Sequence, residues 1–448
     1  MKTRRKTKPS PVIAVPPENY RVYSIRWLQL IIYALVTFCN GIFPSTFSPI
    51  ESQATSFFAI STTQNTVLVV ISLFLYAPGT VLSMWAFQRF SMRTVMIIGS
   101  LMNLGAWIRL FSLITPNQGY AALVLGQILP GLSAPIFFNA AAQFSTRWFA
   151  RGQRDIITAV CSMANPLGLA FGFLFPSLII TNSSSSGQFL IVFATEAGFA
   201  TVIALIVIIG YRSSPPTPPS ASDQQQASEF KRDFLLLLKN GHYLVLLFAF
   251  SIGFGLFNAL ISLLYELIQP SGYSSSDAGL FGAVTILSGL VSAAIAGVIM
   301  DCTHAYLAIL KLLSLGACGS VVYFVIILRP SMFYPLGLSF VLMGFFLLPL
   351  LPIVFECAIE CTYPICSAWS IGLLLCVGNV LGGVFTFVLK VLIEKAPNYT
   401  SGVIFTPASI FIFSAAICST LILLFYHGPY LRLKAETENV VVRRSPVK

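Results

Sequence analysis

The chain has 448 residues, of which 56% are hydrophobic and only 9% are charged, and its net charge is +11. Soluble domains carry roughly 25% charged residues, so this composition excludes a water-soluble protein. The mean hydropathy of +0.84 and the 38 phenylalanines indicate that most of the surface faces lipid.

Twelve apolar runs occur in chain order, six before and six after a polar interval rich in Pro, Ser and Gln. We predict membrane spans at 27–50, 66–87, 94–114, 119–142, 156–181, 188–211, 242–267, 278–300, 306–328, 333–357, 367–389 and 403–426. Because a helix satisfies its own backbone hydrogen bonds within lipid, the expected fold is an all-α membrane protein with two six-helix bundles. The expected domains are a tail at 1–26, bundles at 27–211 and 242–426, a linker at 212–241 and a tail at 427–448. Within the linker, 228–239 has the apolar spacing of a short amphipathic helix.

Basic residues are distributed unevenly between the two ends of the predicted spans. Of the 26 Lys and Arg residues, 22 fall on the side of the tails and the linker, and the other four are Arg109, Arg329, Lys390 and Lys395. Cytoplasmic loops carry the excess of Lys and Arg, so we expect both termini and the linker to be cytoplasmic. We interpret the positive net charge as basic loops beside anionic membrane lipid, with no nucleic-acid partner.

Two sequences of the type Asn-X-Ser/Thr begin at Asn182 and Asn398. Both fall in loops on the side predicted to be outside, which agrees with the orientation without using charge. We therefore predict these two asparagines as glycosylation sites, and the plasma membrane as the location of the protein.

The two halves of the chain repeat one another at a fixed spacing. The stretch NPLG begins at Asn165 in the fifth predicted span, and NVLG begins at Asn379 in the eleventh, an offset of 214. Gln88 and Asp301, after the second and eighth predicted spans, are separated by 213. Carriers built from such repeats move their halves about a central site, so the repeat favours transport.

The turn after the second predicted span resembles the signature of the major facilitator superfamily, in which an acid, a glycine and basic residues form a tight cytoplasmic turn. Arg89 and Arg93 supply the basic positions, Gln88 replaces the acid and Ser91 replaces the glycine. Asp301 keeps the acid in the second half. The resemblance implies the facilitator fold and a latch in which these groups tie neighbouring helices together by charge-assisted hydrogen bonds.

Other stretches resemble solute carrier family 49, the feline leukaemia virus subgroup C receptor-related proteins. They are LGAWIR at 104–109, SMANPLG at 162–168 and ECAIECTYP at 356–364, while SPPTPPS at 214–220 and HGPYLRL at 427–433 are most similar to the member 3 branch. The resemblance implies transport of a small organic solute. Choline, ethanolamine and haem are the candidate solutes that it suggests.

Relatives that carry choline have an aromatic box made by a Trp in the first span and a Tyr in the seventh. Here Pro44 occupies the first position, and the second falls at Asn258 or Ala259. A cation would therefore rely on other rings of the first predicted span, Phe43 and Phe47, through cation–π attraction.

Four asparagines lie at membrane depth, where polar side chains are costly and tend to line a cavity or a helix contact. They are Asn40, Asn165, Asn258 and Asn379, in the first, fifth, seventh and eleventh predicted spans. We expect them to line the solute path. The alternative, that each only bonds across packed helices, stays open.

Carboxylates supply the candidates for proton coupling and for a latch. Glu196 lies inside the sixth predicted span, and Tyr265 precedes Glu266 near the outer end of the seventh. We include Glu196 and Tyr265 in the predicted solute site, while Glu266 is also consistent with a solvated helix end. Glu356 and Glu360, one helical turn apart, are expected to form a cytoplasmic latch with Arg147 and Arg151.

The sequence lacks the motifs of nucleotide-dependent and zinc-dependent proteins. There is no phosphate-binding Gly-x-x-x-x-Gly-Lys motif and no paired-histidine motif for zinc, so we expect no cofactor, no metal and no enzymatic activity. The leading interpretation is a monomeric secondary transporter with alternating access. A non-transporting receptor or scaffold is the alternative, and a membrane-embedded enzyme is a third.

Overall fold

A computed structural model describes residues 21, 23–150, 153–181, 185–217, 230–303, 305–363, 365, 367–395, 406–432 and 434. This part of the chain contains twelve helices long and apolar enough to cross a membrane, which confirms the predicted all-α fold. In chain order, spans 1 to 12 are Ile25–Ser45, Thr62–Arg89, Met92–Leu113, Tyr120–Trp148, Arg154–Ile179, Ser186–Gly210, Gly241–Ser262, Ser275–Thr303, Tyr306–Ile327, Phe333–Thr362, Ser367–Glu394 and Pro407–Phe425. The predicted glycosylation sites Asn182 and Asn398 lie outside the described residues.

Three short helices join the spans. Glu51–Phe58 follows span 1, Leu264–Ile268 follows span 7, and Phe230–Lys239 is the helix predicted within the linker. Spans 1 and 7 are thus shorter than predicted at their C-terminal ends, and the backbone leaves the helical region before each following short helix, at Ile50 (φ −106°, ψ 25°) and at Leu263 (φ −103°, ψ 22°). These two breaks are 213 residues apart, so the repeat extends to the way each span ends.

Glycines allow the same close helix pairing in both halves. In the first half, a Cβ atom at Gly41 would collide with the carbonyl group of Asn165, so span 1 packs directly on span 5. In the second half, a Cβ atom at Gly255 would lie 3.1 Å from the amide nitrogen of Gly382, where span 7 packs on span 11. Gly41 and Gly255 are again 214 residues apart, so the sequence repeat corresponds to a structural one.

The two bundles also contact each other along spans 2 and 11 and along spans 5 and 8. We call the end of the bundles at which the linker leaves the linker side, and the opposite end the far side. Odd-numbered spans run from the linker side to the far side. On the far side, Cβ atoms at Gly279 and Gly282 of span 8 would meet Phe173 of span 5.

Candidate transport site

A buried ion pair lies within the first bundle. The Arg109 Nη1 atom of span 3 is 2.8 Å from Glu196 Oε2 of span 6, and these side chains are 0% and 1% exposed. Thr46 donates to the other Glu196 oxygen at 2.9 Å, and Arg109 Nη2 donates to Gln127 Oε1 at 2.9 Å. Glu196, which we predicted as a solute-binding and titrating group, is therefore paired with the guanidinium group of Arg109.

The two phenylalanines predicted to bind a cation contact this same arginine. The Arg109 guanidinium carbon lies 5.0 Å from the ring centre of Phe43 and 5.8 Å from that of Phe47, within the range of cation–π attraction. Both rings are buried, at 1% and 0% exposure. In this structure, therefore, these rings stabilise a side chain of the protein.

Asn40 and Asn165 lie where spans 1, 3, 4 and 5 meet. The Asn40 amide donates to Asn103 Oδ1 at 2.9 Å, to the carbonyl of Pro130 at 3.0 Å and to Ser133 Oγ at 3.0 Å. Asn165 donates to Asn40 Oδ1 at 3.5 Å. Both residues therefore form hydrogen bonds between packed helices, which is the alternative left open above.

Asn258 and Asn379 lie in the second bundle, on spans 7 and 11. Asn379 donates to the carbonyl of Leu375 in its own helix at 2.7 Å. Asn258 packs against Gly382, and its Nδ2 atom is buried without a hydrogen-bond acceptor among the described residues. Asn258 is one of the two positions, with Ala259, that the family resemblance related to the seventh-span ring of the aromatic box.

Two further polar atoms are buried without a partner among the described residues, on the surface where the first bundle meets span 11. They are the Tyr76 hydroxyl of span 2 and Asn139 Oδ1 of span 4. A Cβ atom at Gly372 of span 11 would lie 3.5 Å from that Asn139 oxygen. Tyr76 packs in one apolar cluster with residues of the second bundle. The two groups therefore lie between the bundles.

Polar contacts join the bundles on the far side. Ser48 donates to the carbonyls of Ile261 and Ser262 at 3.0 and 2.9 Å, and Ser275 donates to the carbonyl of Pro49. Thr66 of span 2 lies 3.4 Å from Glu266 Oε1. Tyr265, predicted in the solute site, is half-buried beside Glu266 and packs on the core of the second bundle.

A second group of far-side contacts involves Lys390 of span 11. Its Nζ atom is 2.6 Å from Glu266 Oε1 and 3.6 Å from Glu51 Oε1. Glu51 belongs to the first bundle and Glu266 to the second, so this lysine lies between carboxylates of the two bundles. Together these bonds close the far side.

The predicted latch residues lie on the linker side. Arg93 donates from Nη2 to the carbonyl of Ile208 at 2.9 Å, which ties span 3 to the end of span 6, and Arg89 is exposed. Glu356 pairs with Arg432 of the carboxy-terminal segment at 3.5 Å. Glu360 is buried, Arg147 is half-buried, and the Asp301 side chain lies outside the described set.

A cavity of about 60 Å³ lies inside the second bundle and not between the bundles. Side chains of spans 7, 9, 10 and 12 line it, among them Phe254, Val321, Leu351 and Thr420. Its walls are almost wholly apolar, so the cavity does not coincide with the polar groups described above.

The sequence analysis missed two ion pairs, Arg109 with Glu196 and Lys390 with Glu266. Arg109 and Lys390 were counted only as charges near the outer ends of spans, but both are buried in ion pairs. A signal was available, because buried charges in a membrane are almost always paired. The sequence holds Glu196 inside a span, which called for a basic partner inside another.

Comparisons with known proteins agree with this geometry. The sequence profile of the Major Facilitator Superfamily matches residues 33–420. Solute carrier family 49 member A3 of Danio rerio is 28% identical over 96% of this chain and 93% of its own length. Choline/ethanolamine transporter FLVCR2 of Homo sapiens is 25% identical over 95% of this chain and 82% of its own. The predicted resemblance to solute carrier family 49 is confirmed.

Solved structures show the same fold. A bacterial homologue of the human lysosomal transporter Spinster, in an inward-facing conformation, superposes with a TM-score of 0.64 at 15% identity, covering 95% of this chain and 100% of its own. The E. coli fucose:proton symporter superposes with a TM-score of 0.63 at 15% identity, covering 90% and 98%. Since the family profile matches most of its length, the chain belongs to the Major Facilitator Superfamily of membrane transporters.

Proposed function

We propose that this transporter carries a small organic solute by alternating access, with choline and ethanolamine as the first candidates and haem as a third. The observation that carries the proposal is the polar, separable contact between the bundles on the far side. When the bundles separate, water can replace hydrogen bonds such as those of Ser48 at little net cost. A continuous apolar interface would lose its burial with no such replacement. Family 49 relatives named as choline/ethanolamine transporters support the choice of solute.

In this proposal the inter-bundle groups of Tyr76 and Asn139, together with Asn258 of span 7, supply the solute-binding atoms. A buried polar atom without a hydrogen bond costs about 1–3 kcal/mol, so the unpartnered atoms of Tyr76, Asn139 and Asn258 are expected to gain a partner when solute binds. None of these three side chains carries a fixed charge. A solute held by them needs groups that form hydrogen bonds, and it needs no charge opposite to that of a site residue.

Aromatic rings on the same surface favour an organic cation. Phe74 of span 2 stacks with Phe387 of span 11 at 6.3 Å, where the two bundles meet. Ring faces attract quaternary and primary ammonium groups without a carboxylate. This arrangement replaces the predicted role of Phe43 and Phe47, which are engaged with Arg109.

The remaining features of the proposal concern topology and partners. The bundles span 27–211 and 242–426, both termini and the 212–241 linker lie in the cytoplasm, and the protein resides in the plasma membrane as a monomer surrounded by lipid. It has no enzymatic activity and no nucleic-acid partner. The excess of basic residues on the linker side supports this orientation.

Uptake into proteoliposomes measures the proposed activity. Labelled choline, ethanolamine and haem are added to vesicles with and without the full-length protein. We expect saturable uptake of choline or ethanolamine that requires the protein. Equal uptake by protein-free vesicles for all three solutes would contradict the substrate assignment.

Truncating Asn258 or Asn379 to alanine is expected to lower kcat/KM for the transported solute at least about tenfold, a loss of about 1.4 kcal/mol. Asn258→Ala removes an amide from the surface between spans 7 and 11, and Asn379→Ala removes an amide of span 11 that bonds within its own helix. The measurement is initial uptake against solute concentration, normalised to protein in the membrane. Ser414→Ala, a polar truncation at an exposed position of span 12, should leave uptake unchanged. Wild-type kinetics in both asparagine variants would remove them from the site.

A further inference from the structure

The far side holds one lysine and three carboxylates at the junction of the bundles. Lys390 Nζ is 2.6 Å from Glu266 Oε1, 3.6 Å from Glu51 Oε1 and 3.8 Å from Glu394 Oε1. The side chains of Lys390, Glu51 and Glu266 are only 3%, 6% and 13% exposed, whereas that of Glu394 is 50% exposed. The junction is therefore largely shielded from water.

The charges of this group do not balance. One ammonium compensates one buried carboxylate, and a second carboxylate buried without compensation is strongly disfavoured. Glu266 holds the shortest contact with Lys390 and also accepts from Thr66 at 3.4 Å. Glu51 Oε1 is buried, has no hydrogen-bond partner among the described residues and lies beyond hydrogen-bond distance of Lys390. The group that must lose its charge is Glu51.

We propose that Glu51 is a proton-binding site of the far-side gate, which takes up a proton when the bundles close on the far side and releases it when they separate. Separation exposes Glu51 to water, because its cover comes from Lys390 and Glu266 of the other bundle. The proposal rests on the alternating-access movement proposed above and adds the proton to it.

The electrostatics of the closed state agree with this geometry. Burial, and next the charge of Glu266, raise the pKa of Glu51 to about 9, while Lys390 acts in the opposite direction. In water a glutamate has a pKa of about 4.3. The closed state therefore binds one more proton than the open state between these two values. Within that window a rise in pH favours opening, by up to about tenfold per pH unit.

Other titratable groups near the junction are engaged elsewhere. Asp277, at the start of span 8, accepts from the amide and the hydroxyl of Ser274, both at 2.8 Å. Glu196 in the first bundle is paired one-to-one with Arg109. This is the physical reason to place the proton on Glu51 in preference to Glu196, which the sequence suggested.

The experiment follows far-side separation directly, without needing the solute. Spin labels are placed at Thr63→Cys and Gln269→Cys, two exposed far-side positions on different bundles, in the full-length protein with its nine native cysteines replaced. Distance distributions are measured in nanodiscs from pH 5 to pH 9. We expect a short distance at pH 5 and a growing long-distance population as the pH rises.

The variants separate the roles of the carboxylates. Glu51→Gln mimics the protonated form and should keep the short distance at every pH. Glu394→Gln, which removes an exposed carboxylate beside the same lysine, should retain the wild-type profile. Glu266→Gln leaves Lys390 to pair with Glu51, so the closed state no longer needs a proton on Glu51 and the growth of the long-distance population with pH should become smaller. If Glu51→Gln does not fold, the pH response of Glu266→Gln alone tests the proposal.

Three results would overturn the proposal. They are a wild-type distance distribution that does not change with pH, a Glu51→Gln profile that follows the wild type, and a Glu266→Gln profile with the full pH response of the wild type. None of them depends on whether choline or ethanolamine is the solute, so failure of the substrate assignment and failure of the proton site are distinguishable.

Discussion

Replacing Arg109 with leucine is expected to lower the free energy of unfolding by about 3–5 kcal/mol, because it leaves the charge of Glu196 buried without a partner. The Arg109 side chain is fully buried and lies 2.8 Å from that carboxylate. The change also deprives Gln127 Oε1 of its donor and the Phe43 ring of its cation. Thermal unfolding of the purified protein in detergent, followed by circular dichroism, measures the loss.

The double variant Arg109→Leu/Glu196→Leu removes both charges and should recover most of the lost stability, since hydrophobic replacement of a buried ion pair is often neutral or stabilising. Arg329→Leu, at an exposed position, is the control and should unfold at the wild-type temperature. A single variant as stable as the wild type, or a double variant less stable than the single one, would contradict this account of the pair.

Adding a methyl group at Gly168 is expected to destabilise the first bundle by about 1–3 kcal/mol or more. A Cβ atom there would collide with the backbone carbonyl of Phe38, and a backbone carbonyl cannot rotate away as a side chain can. Spans 1 and 5 must therefore separate. The measurement is again thermal unfolding, together with the amount of protein recovered from the membrane.

Gly198→Ala in span 6 is the matched control for this change. A Cβ atom at Gly198 meets nothing within 4 Å, so alanine should raise stability by about 0.4–1 kcal/mol through the unfolded state. The two Gly→Ala variants are thus expected to shift the unfolding temperature in opposite directions. Equal shifts would show that close packing of spans 1 and 5 does not depend on Gly168.

The fold was predictable because its signals are local and repeated. Each of the twelve apolar runs has the length that the thickness of the bilayer requires. The offset of 214 between Asn165 and Asn379 reappears in the packing of Gly41 and Gly255. The ends of spans 1 and 7 were not predictable by hydropathy. The chain has no charged residue at 27–50 or at 243–263, while its backbone turns at Ile50 and Leu263 into a second short helix.

The candidate site was less predictable, because it depends on which side chains meet. Each of the four asparagines lies within an apolar run, yet Asn40 is fully engaged by spans 3 and 4 whereas Asn258 keeps an unpartnered nitrogen. Glu51 begins the short helix that follows span 1, and nothing in its local sequence predicts that Lys390 and Glu266 lie against it. Such long-range contacts follow from the closure of two bundles and not from periodicity.

The measurement that tests the transport account most directly is choline and ethanolamine uptake by proteoliposomes before and after the far side is locked. Ser48 donates to the Ser262 carbonyl at 2.9 Å across the bundle junction, so Ser48→Cys/Ser262→Cys in a cysteine-free background can be bridged by a short bifunctional thiol reagent. We predict uptake that the reagent abolishes in the double variant and leaves intact in Ser48→Cys alone. Uptake that continues unchanged after bridging would contradict alternating access by separation of the two bundles.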